Sequence, residues 1–180
     1  TKVATALKAR LKPGGTSLYV GAGVAEIPPL VMETLELDRR VVACNLRRQE
    51  VQVLNRACGT VPIRFQHHDA GSVKQRVDHL WLVSVLNDPE RFPELSVLSY
   101  GRANPVTFNA KQFVTQQRTV ARLVDRCLGR LTVPGLVTTT VEEAVWVAEW
   151  CHRRGIPYRI EPRTYASPTV GDPICFMRIG

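Results

Sequence analysis

The chain has 180 residues, 24 Lys and Arg against 16 Asp and Glu, and a net charge of +8. That length suits one domain, expected over residues 1–180, with a core of its own. No run approaches the roughly 18 apolar residues of a membrane span and no signal-peptide core opens the chain, so a soluble, cytoplasmic protein without a membrane partner is expected.

The five cysteines, Cys44, Cys58, Cys127, Cys151 and Cys175, are widely spaced without a CxxC and odd in number. They are expected as reduced, mostly buried thiols rather than a disulfide framework. Cys151-His152 and His67-His68 are adjacent pairs whose side chains diverge on a helix or strand, so no metal site is assigned. The basic excess, mostly arginine, favours a polyanionic partner, RNA before DNA. A homo-oligomer is left open.

In chain order, Lys2 to Leu11 has apolar residues at helical spacing and is stopped by Pro13-Gly14-Gly15. Ser17 to Val20 is a short strand. Ile27 to Leu37 is a helix with Pro28 and Pro29 in its first turn. Between them lies the turn Val20-Gly21-Ala22-Gly23, where two glycines can take φ > 0 and leave no Cβ between backbone and ligand. It is neither the dinucleotide fingerprint, since Glu26 stands where the last glycine belongs, nor a P-loop, since no GK[ST] follows.

Val41 to Cys44 predicts a second strand ending at Asn45, Arg48 to Ala57 a helix, and Ile63 to Gln66 a third strand ending before Asp69-Ala70. Val77 to Val85 is the most strand-like run and ends at Leu86-Asn87-Asp88-Pro89. Residues 87 to 109 read as one long irregular loop carrying Arg91, Tyr100 and Arg102, and loops of that length are usually functional. Lys111 to Leu131 is an amphipathic helix with Arg118, Arg122, Arg126 and Arg130 in a row, read first as a solvated face and second as a track for phosphates. Leu136 to Val141 is a fifth strand. Glu142 to Arg154 is a helix opening on two acids that suit its dipole. Tyr158 to Glu161 and Cys175 to Ile179 form a terminal hairpin around a proline-rich loop at 162–173. Trp81, Trp146 and Trp150, each in a regular apolar element, are expected as core or interface aromatics.

The pattern predicts an α/β fold, a doubly wound and mostly parallel seven-stranded sheet with a C-terminal antiparallel hairpin. In this it resembles the class I S-adenosylmethionine-dependent methyltransferases over nearly its full length. Gly21 and Gly23 match the first motif of that family, while Tyr19 and Ala25 stand where it usually has an acid and a third glycine. The ribose-binding acid at the end of strand two falls on Asn45, which lacks a carboxylate's charge-assisted acceptance. Asp69 stands where the family places an acid for the adenine amino group. Val20, Ala70 and Leu86 are then expected along the adenine or methionine portions.

The resemblance implies S-adenosylmethionine as cofactor, held by Val20, Gly21, Ala22, Gly23, Asn45, Asp69, Ala70 and Leu86. Asn87-Asp88-Pro89-Glu90-Arg91-Phe92 agrees only in part with the Asn/Asp-Pro-Pro-aromatic motif of amino-group methyltransferases. By that partial match Asn87 and Asp88 are the candidates for orienting the acceptor, with Arg91, Tyr100 and Arg102 contacting it. A fainter likeness to the tRNA guanine-7 methyltransferases lacks their tryptophan and assigns no acceptor. The departures at Tyr19, Ala25 and Asn45 motivate the alternative, a methyltransferase-like scaffold without catalysis.

Overall fold

A computed structural model describes residues 1–167 and 170–180. The sheet strands are β1 (Thr16–Val20), β2 (Arg40–Asn45), β3 (Phe65–His67), β4 (Val77–Leu82), β5 (Leu131–Thr140), β6 (Tyr158–Ile160) and β7 (Ile174–Ile179). They form one sheet in the order β3-β2-β1-β4-β5-β7-β6. The first five strands are parallel, and β7 runs antiparallel to both β5 and β6. The expected mostly parallel sheet and terminal hairpin are therefore present. Pro168 and Thr169, in the loop expected over 162–173, lie outside the described residues.

Helices cover both faces because the strand side chains alternate between two apolar clusters. Leu18, Val20, Leu80 and Leu82 enter the core beneath α5 (Ala110–Leu128) and α6 (Ala144–Arg153), whose buried faces include Val120, Val124, Val147 and Cys151. Tyr19, Ala43 and Trp81 enter the opposite core with residues from α1 (Lys2–Lys8), α2 (Ile27–Val31) and α3 (Arg48–Ala57), such as Leu7, Leu30 and Leu54. All five cysteines are buried free thiols. Trp81 and Trp150 are buried, and Trp146 packs against the first core. No helix among the described residues is long and apolar enough to cross a membrane.

Several expected boundaries move. The stretch 87–109 contains a short helix, α4 (Pro93–Ser99), with Pro93 in its first turn and Leu95 and Ser96 buried. The expected strand over 77–85 stops at Leu82, because Ser84 takes φ 54° and turns the chain out of the sheet. β5 starts at Leu131, through a cis Val133–Pro134 bond, rather than at Leu136. α2 continues into a π-helical turn, Met32–Glu36, that carries Glu33 inward.

That inward turn completes a polar network buried at the amino-terminal end of the sheet. Glu33 and His79 are fully buried and Arg39 is 3% exposed. Arg39 donates from Nε to Glu33 Oε2 at 3.0 Å and from Nη2 to Asp78 Oδ1 at 2.6 Å. Tyr19 donates its hydroxyl to Glu33 Oε1 at 2.6 Å, and the Ser17 hydroxyl bonds Glu33 Oε2. His79 Nδ1 lies 3.0 Å from Glu33 Oε1, and its Nε2 pairs with Thr138 Oγ1 at 2.9 Å. Burial disfavours the Glu33 carboxylate, but the charge and hydrogen bonds of His79, with those of Ser17 and Tyr19, outweigh it and hold the group at about 2. Tyr19, in the place of the expected acid, thus reaches a carboxylate supplied by another element.

Candidate active site

The site begins where β1 ends. Gly21 has φ 70°, and an added Cβ there would lie 3.0 Å from Val85 Cγ2, so both backbone and space call for glycine. The turn is fastened to β2 by two hydrogen bonds, Ala22 N–H to the Cys44 carbonyl at 2.8 Å and Asn45 Nδ2 to the Ala22 carbonyl at 2.9 Å. Asn45 Oδ1 also accepts from Arg47 N–H at 2.7 Å. The residue expected at a ribose is thereby committed largely to bracing two loops. Gly23 donates its N–H to Glu26 Oε2 at 2.8 Å, and Glu26 Oε1 accepts from Trp81 Nε1 at 3.3 Å.

A cleft of about 680 Å³ opens over this turn, at the carboxyl ends of β1, β2 and β4 and the loop after β3. Of the residues singled out by sequence, it collects Val20, Gly21, Asn45, Asp69, Ala70, Asp88 and Arg91. Asp69 Oδ1 accepts from Gly71 N–H at 2.9 Å, and its Oδ2 pairs with Arg126 Nη1 at 3.2 Å. Cys44 also lines the cleft, but burial pushes its thiol up to about 11, so it is no nucleophile near neutral pH.

Other candidates fall elsewhere. Ala22 is fully buried under the turn, and Gly23 is not among the residues lining the cleft, though its Cβ position is 3.1 Å from Oε1 of Glu50, which does line it. Leu86, expected beside the cofactor, is a fully buried core residue on the same face as Leu80 and Leu82, its N–H held by Glu143. Asn87, Tyr100 and Arg102 line a second cleft of about 380 Å³ with Gly171 and Asp172. The two clefts share Ser84, Asp88 and Pro89. Arg118, Arg122 and Arg126 of the α5 row are exposed, and Arg126 reaches the first cleft through Asp69.

Two carboxylates that sequence reasoning passed over have defined places here. Glu50, in the first turn of α3, lines the first cleft opposite Gly23. Glu143, read from sequence as serving the dipole of its own helix, is fully buried and accepts N–H groups from the loop after β4. Those bonds come from Ser84 at 2.9 Å, Val85 at 2.6 Å, Leu86 at 2.5 Å and Asn87 at 3.4 Å. Burial pushes Glu143 up to about 7, against the pull of these four donors. It fixes the loop that separates the two clefts, including the strained Ser84.

No family model and no curated protein matches the chain in sequence. Solved structures do. Magnesium protoporphyrin IX methyltransferase from Synechocystis PCC 6803, itself with S-adenosylmethionine bound, aligns at TM-score 0.62 and 9% identity, covering 99% of this chain and 77% of that one. Precorrin-6y C5,15-methyltransferase from Geobacter metallireducens GS-15 aligns at 0.54 and 13%, covering 99% and 85%. TrmN from Thermus thermophilus aligns at 0.57 and 16%, with 98% of this chain spanning 47% of that one. With seven strands in the order β3-β2-β1-β4-β5-β7-β6 and β7 antiparallel, the chain has the fold of the class I S-adenosylmethionine-dependent methyltransferases.

Proposed function

We propose that the chain is an S-adenosylmethionine-dependent methyltransferase acting on RNA. The observation that carries this reading is the pair of clefts meeting at Ser84, Asp88 and Pro89, one suited to a nucleoside cofactor and the other to an acceptor. The residues of the larger cleft fit the cofactor. Gly21 leaves its backbone open, Val20, Ala70 and Leu123 offer apolar walls for a purine, and carboxylates stand at Glu50, Asp69 and Asp88 for hydroxyls, an amino group and a cation.

In this reading Asp69 receives the adenine amino group and Glu50, rather than Asn45, receives the ribose hydroxyls, with Asn45 holding the glycine turn in place. The bound cofactor supplies a methyl group already activated on a sulfonium, so the protein's share is alignment and removal of water. The Glu143 clamp on residues 84–87 provides the alignment, because it fixes the wall common to both clefts. Half-buried carboxylates at Glu50, Asp69 and Asp88 and a cleft open over Gly21 favour a working cofactor site over the scaffold alternative.

Glu50→Gln is expected to weaken cofactor affinity about tenfold, as for loss of one charge-assisted hydrogen bond, with a thermal midpoint close to the wild type. Fluorescence titration beside a melting curve would check both. An unchanged affinity would take the ribose away from Glu50.

RNA as acceptor rests on charge and placement. Arg47 and Arg91 line the cofactor cleft, Arg102 lines the acceptor cleft, and Arg118, Arg122 and Arg126 continue outward along α5. This makes a path for a phosphate backbone past the mouth of the site. The reading is tested by incubating the protein with methyl-labelled S-adenosylmethionine and, separately, bulk RNA, DNA and protein. Label is expected in RNA, with binding that weakens as salt rises by a log–log slope of roughly −0.7 per phosphate contacted. Label confined to DNA or protein would reject RNA while leaving the enzyme class intact.

A further inference from the structure

We infer that the second cleft receives an amino-bearing base of the acceptor and that Asp172 takes its proton. This rests on the methyltransferase reading above and names the acceptor atom, which that reading leaves unassigned.

A chain of hydrogen bonds crosses the cleft. Asn87 Nδ2 donates to the Tyr100 hydroxyl at 3.0 Å, and that hydroxyl donates to Asp172 Oδ2. Because Tyr100 gives its only hydroxyl proton to the carboxylate, its oxygen must accept from Asn87, which fixes the amide with Nδ2 toward Tyr100. Burial and the carboxylate of Asp172, with Glu142 and Glu143 nearby, raise the phenol well above its ordinary value and keep it a donor. Asp88 Oδ1 is engaged in turn by Glu90 N–H at 2.9 Å.

Three oxygens then remain without a hydrogen-bond partner among the described residues: Asn87 Oδ1, Asp88 Oδ2 and Asp172 Oδ1. All three can only accept. A ligand that satisfies them must donate, and an exocyclic amino group carries two N–H donors on the atom that attacks. A nucleophile without hydrogen, such as a purine ring nitrogen, would set its lone pair against these oxygens. Arg102, whose guanidinium lies over the Tyr100 ring at 5.6 Å, brings a cation to the same cleft for the phosphate of a base turned out of its strand.

Asp172 is held from behind. The Pro173 carbonyl accepts from Val141 N–H at 2.9 Å, and Ile174 pairs with Tyr165, so the carboxylate stands on a short segment tied to β5 and the β7 start. In the reaction the amino nitrogen's lone pair forms the new N–C bond as the bond from methyl carbon to sulfur breaks, its electron pair remaining on sulfur. One N–H proton passes to Asp172 Oδ1. Asp172 is thus the proton acceptor and Tyr100 a positioning residue.

The test uses the whole chain with methyl-labelled S-adenosylmethionine and bulk RNA, followed by nucleoside digestion and mass spectrometry. Calorimetric cofactor binding is measured in parallel for the wild type, Asp172→Asn and Tyr100→Phe. The methyl is expected on an amino nitrogen. Asp172→Asn should lower kcat about 100-fold or more and leave cofactor affinity within about twofold. Tyr100→Phe, which keeps the ring and the fold, should lower kcat about tenfold. A methylated atom that carried no hydrogen, a kcat for both variants within about twofold of wild type, or cofactor binding with no transfer to any RNA would each overturn the proposal while leaving the cofactor site standing. A folded protein that binds no cofactor would instead remove the reading on which the proposal rests.

Discussion

Replacing Glu33 by alanine is expected to lower the free energy of unfolding by about 3–5 kcal/mol, the cost of removing one partner from a buried ion pair. Arg39 would keep its charge in the core with Asp78 as its remaining counter-ion, and Tyr19, Ser17 and His79 would each lose an acceptor. Urea unfolding measures this directly, as a lower midpoint at an unchanged slope. The same carboxylate predicts the acid limit of the protein. Its native value near 2 lies below the ordinary 4.5, so its contribution is full above about pH 5 and fades as pH falls toward 2. Asp78, lowered chiefly by the Arg39 hydrogen bond against its own burial, acts in the same direction. The Glu33→Ala protein should accordingly show a shallower loss of stability between pH 5 and 2. A destabilisation below about 1 kcal/mol would mean that the network is not held as described.

Gly21→Ala is the corresponding test of the site, and it should weaken S-adenosylmethionine binding on the order of 10–100-fold. A methyl group at φ 70° costs about 1–2 kcal/mol of backbone strain and meets Val85 at 3.0 Å, so the turn must move away from the cleft or Val85 must move into it. Either response changes the surface the cofactor would lie against. The fold should survive, because Gly21 is exposed and its neighbours Val20 and Ala22 keep their packing. Affinity retained within about twofold in the folded variant would place the cofactor somewhere else.

The sheet was legible because its signals are local. Leu18 to Val20 and Val41 to Cys44 are apolar runs ending at Gly21 and Asn45, Val77 to Leu82 is a mainly apolar run, and strands buried on both faces have that composition. The glycine turn was legible for the same reason, since its constraint is written in Gly21 itself. The acids that organise the site were not. Glu143 looks like an ordinary first-turn acid until tertiary structure brings residues 84–87 onto it, and Glu50 sits in the first turn of a helix whose tilt no pattern specifies. Leu86 went astray because its place after β4 does not reveal Glu143, which holds its N–H and leaves its side chain in the core with Leu80 and Leu82. The helix at Pro93–Ser99 is short, and its proline and the nearby Gly101 resemble loop punctuation. The Glu33–Arg39–His79 network joins residues from three elements, and no one of them announces the other two.

The most direct test of the central claim is calorimetric titration of the whole chain with S-adenosylmethionine, with S-adenosylhomocysteine and NADH as comparisons. One molecule of either adenosyl compound should bind per chain at micromolar concentration, with affinity reduced in Gly21→Ala and Glu50→Gln, and NADH should give no heat of binding. A folded protein that ignores both adenosyl compounds, or that prefers NADH, would contradict a methyl-transfer site over the Gly21 turn.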